Sequence, residues 1–341
     1  MKQVMTVLGP ISQEELGVAL MHEHLFVDIR CWWEKPRTLE EASVADQPIT
    51  LANLGIFRRE PFLSRDALVL DNPAMMIEEA LAFKRARGST IVDVTPPGIG
   101  RNPVGMQQVA RATGLNVVCG CGFYLAATHP PYVATRTKEE LADEIVLELT
   151  EGIGDTGVRA GIIGEIGLSL GILPDEEKAL RAAALASRET GAAITVHPPW
   201  PKGDKLRVLD IVQEEGADLT RVIMGHLEYE MDLDLHKAMA DRGAYLEYDC
   251  FGQEHHHDIY NCRDPLDCER VAFVSELIRL GYVSQILLSH DIATKLELRS
   301  YGGWGYSHLS KHVEPMFLSA GVTPAQIHTM RVDNPQRVLP F

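Results

Sequence analysis

The stretch Val18-Ala-Leu-Met-His-Glu-His24 is an apolar run that ends in two histidines separated by one residue. Side chains alternate between the two faces of an extended strand. His22 and His24 are therefore predicted to point to the same side and to bind one metal ion, while Glu23 faces away. A short buried strand can also carry histidines that only satisfy backbone groups. The pair alone does not decide between these interpretations. The positions of the other residues of metal-binding type in the sequence are needed to decide.

Seven further apolar runs follow, and each is preceded by a helical pattern. The runs lie at residues 90–95, 116–124, 160–165, 192–197, 221–226, 244–250 and 285–291. The clearest helical patterns lie at residues 73–87, 138–152, 175–190, 206–215, 232–242 and 267–280. This alternation predicts an α/β fold, a (β/α)8 TIM barrel that forms a single domain over residues 1–341. A doubly wound sheet is the competing architecture, although it would usually need fewer units.

An elaborated loop is predicted after the first strand, over residues 30–72, because this segment is rich in charge and broken by three prolines. Trp32 and Trp33 lie in it and are predicted to form apolar walls of a substrate pocket. The alternative is that both side chains pack the loop against the barrel. A helix over residues 323–330, with Asn334-Pro335 after it, is predicted to close the chain.

The composition restricts the function classes. A formal net charge of -16 and an isoelectric point near 5.2 argue against nucleic acid and against an anionic membrane surface as partners. The first 20 residues lack the pattern of a signal peptide, and no apolar run reaches the 18 or so residues of a membrane helix. We therefore expect a cytoplasmic protein that acts on a small-molecule substrate. The six cysteines are expected to be reduced thiols.

Residues of metal-binding type fall at the ends of five predicted strands: His22, His24, Glu165, His197, His226 and Asp291. In a parallel barrel these strand ends lie on one face, where such folds keep their active sites. We expect His22, His24 and Asp291 to hold the more buried of two divalent ions. His197 and His226 then hold the more exposed ion, and Glu165 bridges the two. Such a donor set accepts zinc, manganese, cobalt or iron.

Several longer motifs carry a resemblance to a known family. They are Met21-His-Glu-His24, Gly161-Ile-Ile-Gly-Glu-Ile-Gly167, Leu246-Glu-Tyr-Asp-Cys-Phe-Gly252 and Ser289-His-Asp-Ile-Ala-Thr-Lys295. The sequence resembles the phosphotriesterase-related branch of the amidohydrolase superfamily over nearly its whole length. This resemblance implies the barrel and a binuclear centre, usually of zinc, with manganese or cobalt as alternatives. It also implies a homodimer.

Two positions depart from the better-known members of that superfamily. Glu165 stands where the phosphotriesterases and similar lactonases have a carboxylated lysine that bridges the metals, and Cys250 stands where the related lactonases have an arginine. The resemblance is therefore closest to the mammalian-type phosphotriesterase-related proteins and their bacterial relatives, in which glutamate is the bridging ligand. Phosphotriester hydrolysis is expected only as a weak, promiscuous activity.

These features predict a binuclear metal-dependent hydrolase that cleaves a lactone, an ester or an N-acyl amide. A metal-bridging hydroxide would attack the carbonyl group. Asp291 would accept its proton and pass it to the leaving group. The alternative is a protein that binds a small hydrophobic ligand on the same barrel with little or no turnover, with Trp32, Trp33 and Trp304 lining its pocket.

Other residues are candidates for substrate contacts. Tyr124, just past the third strand, is predicted to bind a substrate oxygen, with packing at the barrel rim as the alternative. Lys295 and Arg299 follow the last strand and are predicted to hold an anionic substrate group, with ordinary surface charge as the alternative.

Polar residues on and after the seventh strand have two interpretations each. Asp249 is predicted either to orient a metal-bound histidine or to belong to a buried ion pair. The consecutive His255-His-His257 are not expected to share one ion, because consecutive loop residues rarely converge. We predict that these histidines are solvated or contact substrate.

Overall fold

Eight parallel strands form the centre of the protein, in a computed structural model that describes residues 3–200, 202–258 and 261–341. In chain order, β1 to β8 are Ala19–Glu23, Thr90–Asp93, Asn116–Cys121, Ile162–Gly167, Ile194–His197, Val222–Met224, Tyr245–Tyr248 and Ile286–Leu288. Each strand pairs with the next one along the chain. The last strand returns to the first, because the Asp291 N–H donates to the His22 carbonyl at 3.1 Å. The predicted (β/α)8 barrel is confirmed.

Seven helices of nine residues or more connect these strands in the described part of the chain. In chain order, α1 to α7 are Pro73–Arg85, Pro103–Thr113, Lys138–Thr150, Pro174–Thr190, Lys205–Glu214, Leu233–Asp241 and Asp267–Arg279. Polar side chains cap the N-termini of these helices. Asn72 caps α1 by accepting the Met75 N–H, and Thr137 forms a capping box on α3. After β8 the chain ends in the short helices Glu314–Ser319, Pro324–His328 and Asn334–Val338.

Most of the strands are shorter than their sequence pattern predicts. The sixth and eighth strands were expected to run to His226 and Asp291, but they end at Met224 and Leu288. His226 and Asp291 have positive φ angles, 52° and 51°, which are incompatible with a strand. The third strand was expected to run to Tyr124 and ends at Cys121. The chain thus turns out of the barrel where the polar side chains begin.

Apolar side chains fill the barrel below these turns. One buried cluster joins Met21, Val92, Val118, Ile162, Ile223 and Leu287, which come from six different strands. A second, larger cluster lies between the outer faces of the strands and the helices. The polar ends of the strands consequently lie on a packed floor, with the barrel mouth as the opening above it.

Two long loops cover that mouth. The loop between β1 and α1 contains the short helices Leu39–Val44 and Leu54–Phe57, and its own apolar cluster includes Phe57 and Leu63. The loop between β7 and α7 forms a small hairpin from His256–His257 and Cys262–Arg263. The two loops are joined, because the His256 N–H donates to the Arg58 carbonyl at 3.1 Å.

Two further expectations concern cysteines and membranes. Each of the six cysteines is free, so the expectation of reduced thiols agrees with the structure. Among the described residues, no helix combines the length and the apolar character that crossing a bilayer requires.

Candidate metal centre

Glu165, at the end of β4, lies in the middle of the histidines at the barrel mouth. Its Oε1 is 3.4 Å from His24 Nε2. Its Oε2 is 3.6 Å from His22 Nε2, 3.3 Å from His197 Nδ1 and 3.6 Å from His226 Nε2. One carboxylate therefore faces both of the histidine pairs that the sequence analysis assigned to separate ions.

Asp291 approaches the same centre from the turn after β8. Its Oδ1 lies 3.1 Å from His24 Nε2 and 3.9 Å from His22 Nε2. Its side chain is 17% exposed, more than that of Glu165 at 4%. The structure thus brings all six predicted ligands to one place, and Asp291 is the carboxylate that faces the open side.

The donor atoms suit divalent cations. His22 Nε2 and Glu165 Oε2 are buried and have no hydrogen-bond partner within the described residues, an arrangement that is costly without a ligand. His22 belongs to two groups of residues whose donor atoms lie close enough together to hold a metal ion. One group adds Glu165 and His226, and the other adds His24 and Asp291. Imidazole nitrogens and carboxylate oxygens are ligands of zinc and similar metals. The residues present therefore fit metal ions.

A further layer of polar residues fixes the histidine rings. Asp249 Oδ2 lies 3.1 Å from His22 Nδ1, and its Oδ1 lies 2.9 Å from His226 Nδ1. Thr95 Oγ1 lies 2.8 Å from His24 Nδ1. These contacts leave the Nε2 atoms of all three rings directed at the centre, as in histidines that bind metals. These contacts agree with both interpretations of Asp249, and the residue contacts two histidines rather than one.

Burial and neighbouring charges set the protonation of these groups. Burial opposes the charged form of His22, but the facing Asp249 carboxylate raises its pKa well above the usual value. Burial lowers the pKa of His197. Burial also opposes the charge of Glu165, yet the His197, His22 and His226 rings that face it hold the pKa of this carboxyl well below the usual value. Glu165 is therefore anionic at neutral pH.

A pocket opens above the centre, and two predicted substrate-contact residues line it. The Trp32 indole N–H donates to the Tyr124 hydroxyl oxygen at 3.0 Å. That hydroxyl oxygen is 3.4 Å from His197 Nδ1. Burial raises the pKa of Tyr124 well above the usual value, so its hydroxyl group keeps its proton at neutral pH.

Comparison with known proteins agrees with this geometry. The model of the phosphotriesterase family matches residues 2–339. The chain belongs to the phosphotriesterase family. The resemblance stated from the sequence motifs is confirmed.

Individual relatives within the phosphotriesterase family have different names. An N-acetyltaurine hydrolase of Salmo salar is 37% identical, with 99% of this chain and 98% of the relative covered. The crystal structure of a resiniferatoxin-binding protein from Rhodobacter sphaeroides is 40% identical, with a TM-score of 0.96 and coverage of 99% and 94%. A lactonase from Listeria monocytogenes is 26% identical, with a TM-score of 0.81 and coverage of 99% and 98%.

Three predicted substrate contacts lie outside the pocket of this phosphotriesterase-family barrel. The Trp33 indole N–H donates to the Leu63 carbonyl, so this side chain packs the loop. Lys295 Nζ lies 2.7 Å from Asp66 Oδ1 and is held by that ion pair. Arg299 is exposed. The structure therefore places Trp33, Lys295 and Arg299 away from the described pocket lining, and their substrate contacts stay predictions.

Trp304, which the ligand-binding alternative placed in the pocket, is 50% exposed. Its ring stacks on His308 with 4.9 Å between the ring centroids. It is not among the described residues that line the pocket. This part of the alternative is wrong.

The sequence analysis missed most of the pocket wall. Phe62, Trp200, Tyr229 and Asp264 line the pocket, and none of them was singled out. Trp200 follows the ligand His197 by three residues, a signal that was present in the sequence. Phe62 and Asp264 lie deep in loops, and no local pattern marks them.

The three consecutive histidines divide between two environments. His256 is exposed. His255 and His257 are buried in the pocket wall, where they bond to Glu297 and Asp264 respectively. Of the two predicted environments, His256 is solvated, while His255 and His257 lie in the pocket lining, where substrate contact was the predicted alternative. Among the described residues, no two of the three histidines belong to one candidate metal cluster.

Proposed function

We propose that this protein hydrolyses a carboxylic bond with the help of two divalent cations. The observation that carries the proposal is the position of Glu165, whose two oxygens lie 3.3 to 3.6 Å from nitrogens of four histidines. A carboxylate that faces two histidine pairs would suit a two-metal hydrolytic site, in which it would lie between the two cations.

Zinc is the first candidate for both positions, and manganese and cobalt are the alternatives. His22, His24 and Asp291 would hold one cation. His197 and His226 would hold the other, with Glu165 between the two. When bound, such cations supply Lewis acidity toward a carbonyl oxygen and lower the pKa of a shared water toward roughly 7.

The protein side chains supply proton transfer and orientation. Asp291 faces the pocket and, in this proposal, takes the proton from the attacking water and returns it to the leaving group. Tyr124 accepts the Trp32 N–H, so its own O–H group remains available to donate to the substrate carbonyl. Tyr124 thereby orients the carbonyl and stabilises the charge that develops on its oxygen.

An N-acyl amide is the first candidate for the bond. Relatives named N-acetyltaurine hydrolase align over 99% of this chain, and that name denotes cleavage of an amide. The Listeria neighbour is named a lactonase, so lactones and esters remain within the proposal. Phosphotriesters are expected to be poor substrates.

The test is a mass-spectrometric panel that scores the gain of one water. The panel contains N-acetyltaurine, N-acetyl amino acids, neutral N-acyl amines, aryl esters, γ-lactones and a phosphotriester. Each compound is incubated with the metal-loaded protein, the Asp291→Asn variant and the Asp234→Asn control, whose side chain is 93% exposed. Metal content is measured for all three proteins.

We expect turnover of at least one carboxylic class by the wild type and by the Asp234→Asn control. Asp291→Asn is expected to retain at least one cation through the histidines and to lose turnover. Full activity in Asp291→Asn would remove the proton-transfer role from this residue. If the metal-loaded wild type hydrolyses no compound of any carboxylic class, this result would count against the proposed function.

Binding of a small hydrophobic ligand without turnover is the second candidate. It is favoured by the Rhodobacter neighbour named for resiniferatoxin binding, which has a TM-score of 0.96 to this chain. Tight binding of an apolar ester that is unchanged in Asp291→Asn, with no product in either protein, would support it.

A further inference from the structure

The pocket wall away from the metal centre contains four buried ionisable residues that bond to one another. They form two pairs, His255 with Glu297 and His257 with Asp264. All four residues are at most 9% exposed. The two pairs are also joined, because the His255 backbone N–H donates to Asp264 Oδ2 at 3.0 Å.

Every carboxylate oxygen in these pairs has a partner in the protein. Asp264 Oδ1 lies 2.9 Å from His257 Nε2, and Glu297 Oε1 lies 3.0 Å from His255 Nε2. Glu297 Oε2 accepts the Thr294 N–H at 2.8 Å and its hydroxyl group at 2.6 Å. Burial opposes protonation of His255, but its bond to Glu297 raises its pKa above the usual value. Each carboxylate thus finds its hydrogen-bond partners within the wall.

Positive charge is also missing from this wall. Among the described residues that line the pocket, none is lysine or arginine. Nearby cations have partners elsewhere: Arg59 pairs with Asp258, and Lys295 pairs with Asp66. Lys202, two residues after Trp200, is exposed and lies outside the pocket lining. An anionic group in the pocket would meet no matched cation there.

Most of the rest of this wall is aromatic or aliphatic, with Gln253 and Thr294 as polar exceptions. Trp32 stacks on Phe62 with 5.8 Å between ring centroids and meets Trp200 edge-on at 6.2 Å. Tyr229 and Ile29 continue the lining. Moving an unpaired charge from water into such surroundings is unfavourable, whereas an apolar group gains from the same transfer.

We propose that this pocket selects substrates whose group beyond the scissile bond is electrically neutral and aromatic or aliphatic, and that it discriminates against carboxylate and sulfonate groups. This proposal rests on the proposed hydrolase function and names its substrate class. It also separates this chain from an enzyme whose substrate carries a sulfonate. The carboxylate oxygens of both pairs are occupied inside the wall, so among its described residues the wall offers an anionic group no lysine or arginine to pair with.

The test uses pairs of compounds that differ in one distal charge. The amide pair is N-acetylphenethylamine and its ring para-sulfonate, and the ester pair is phenethyl acetate and its ring para-sulfonate. We expect kcat/KM of the metal-loaded enzyme to favour the neutral member by about 100-fold. Equal values, or a preference for the sulfonate, would overturn the proposal.

A binding measurement separates this proposal from the proposed function. Phenethyl alcohol and its ring para-sulfonate are titrated into the metal-loaded protein by calorimetry, since neither contains a bond to cleave. If no pair is hydrolysed, the proposed function fails, and the ratio of the two dissociation constants still decides the charge selectivity. A ratio near one, or tighter binding of the sulfonate, overturns the proposal in that case as well.

A charge insertion gives the converse test. Phe62→Arg places a cation in the wall, and we expect it to reduce the preference for the neutral compound at least about tenfold. Leu147→Arg adds the same charge to an exposed position on α3 and is the control. An unchanged preference in a folded Phe62→Arg protein would count against the proposal. If the wild type prefers the sulfonate and Lys202→Met removes that preference, the proposal is overturned and Lys202 is the anion anchor.

Discussion

Asp249 joins His22 and His226 through a single carboxylate, with one oxygen 3.1 Å from His22 Nδ1 and the other 2.9 Å from His226 Nδ1. In the proposed assignment the two histidines would hold different cations. Asp249 is fully buried, so its position is fixed by these contacts and by the His226 N–H, which it also accepts. One residue therefore orients both halves of the centre.

Asp249→Asn is expected to weaken both cation sites together. An asparagine side chain has only one carbonyl oxygen, so it cannot accept from both rings, and loss of such a partner typically costs 10–100-fold in metal affinity. Zinc titration against a chromophoric chelator measures the number and the strength of the sites. Asp267→Asn is the control, because Asp267 contacts a buried histidine, His308, outside the centre. Loss of only one site would contradict the joint role of Asp249.

Tyr124→Phe is expected to lower kcat with little change in metal content. The substitution removes the O–H group that, in the proposed function, donates to the substrate carbonyl, and loss of a comparable donor costs about 100-fold or more. It also leaves the Trp32 indole N–H without its acceptor. Steady-state kinetics on the best substrate measures the effect. Tyr132→Phe is the control, since its hydroxyl group donates to Glu144 outside the pocket. A change in KM alone would assign Tyr124 to substrate binding only.

The barrel and the six candidate ligands could be predicted because both depend on local patterns. Apolar runs alternate with helical periods, and the ends of parallel strands share one face. Where each strand ends was harder to predict. His226 and Asp291 have left-handed backbone conformations, which cannot be predicted from the residue type at these positions. The strands before them end two to three residues earlier than expected.

The pocket wall could not be predicted because it depends on contacts between distant loops. Lys295 was a plausible anion anchor until the structure paired it with Asp66, a residue of the loop after β1. His255 and His257 are held in the pocket wall by their contacts with Glu297 and Asp264, which lie in different segments of the chain. Trp32 and Trp33 are adjacent in sequence, yet only Trp32 faces the pocket.

Stability is expected to fall on acidification in a window set by His236. This side chain is fully buried, contacts Tyr248 and Glu230, and has a pKa that burial lowers to about 4. The unfolded value is near 6.5, so the unfolded state binds the proton first as pH falls. The contribution of His236 is complete above about pH 6.5 and is lost progressively toward pH 4. Its upper limit is about 3 kcal/mol.

Urea unfolding of the metal-free protein between pH 7.5 and 5 measures this loss. His236→Gln is less stable at pH 7.5, but its stability is expected to fall less steeply with pH than that of the wild type. His328→Gln is the control, because the side chain of His328 is 61% exposed. Parallel stability curves for wild type and His236→Gln would show that His236 does not titrate in this window.

Arg101→Met is expected to destabilise the protein by about 3 kcal/mol. The guanidinium group of Arg101 is 6% exposed, donates to both carboxylate oxygens of Glu148 and also to the Gly120 carbonyl in β3. Its removal leaves the largely buried Glu148 carboxylate without its cation. Arg136→Met is the matched control, since the Arg136–Glu144 pair is more exposed and should contribute less than about 1 kcal/mol. Equal losses in urea unfolding at pH 7.5 would show that burial does not distinguish the two pairs.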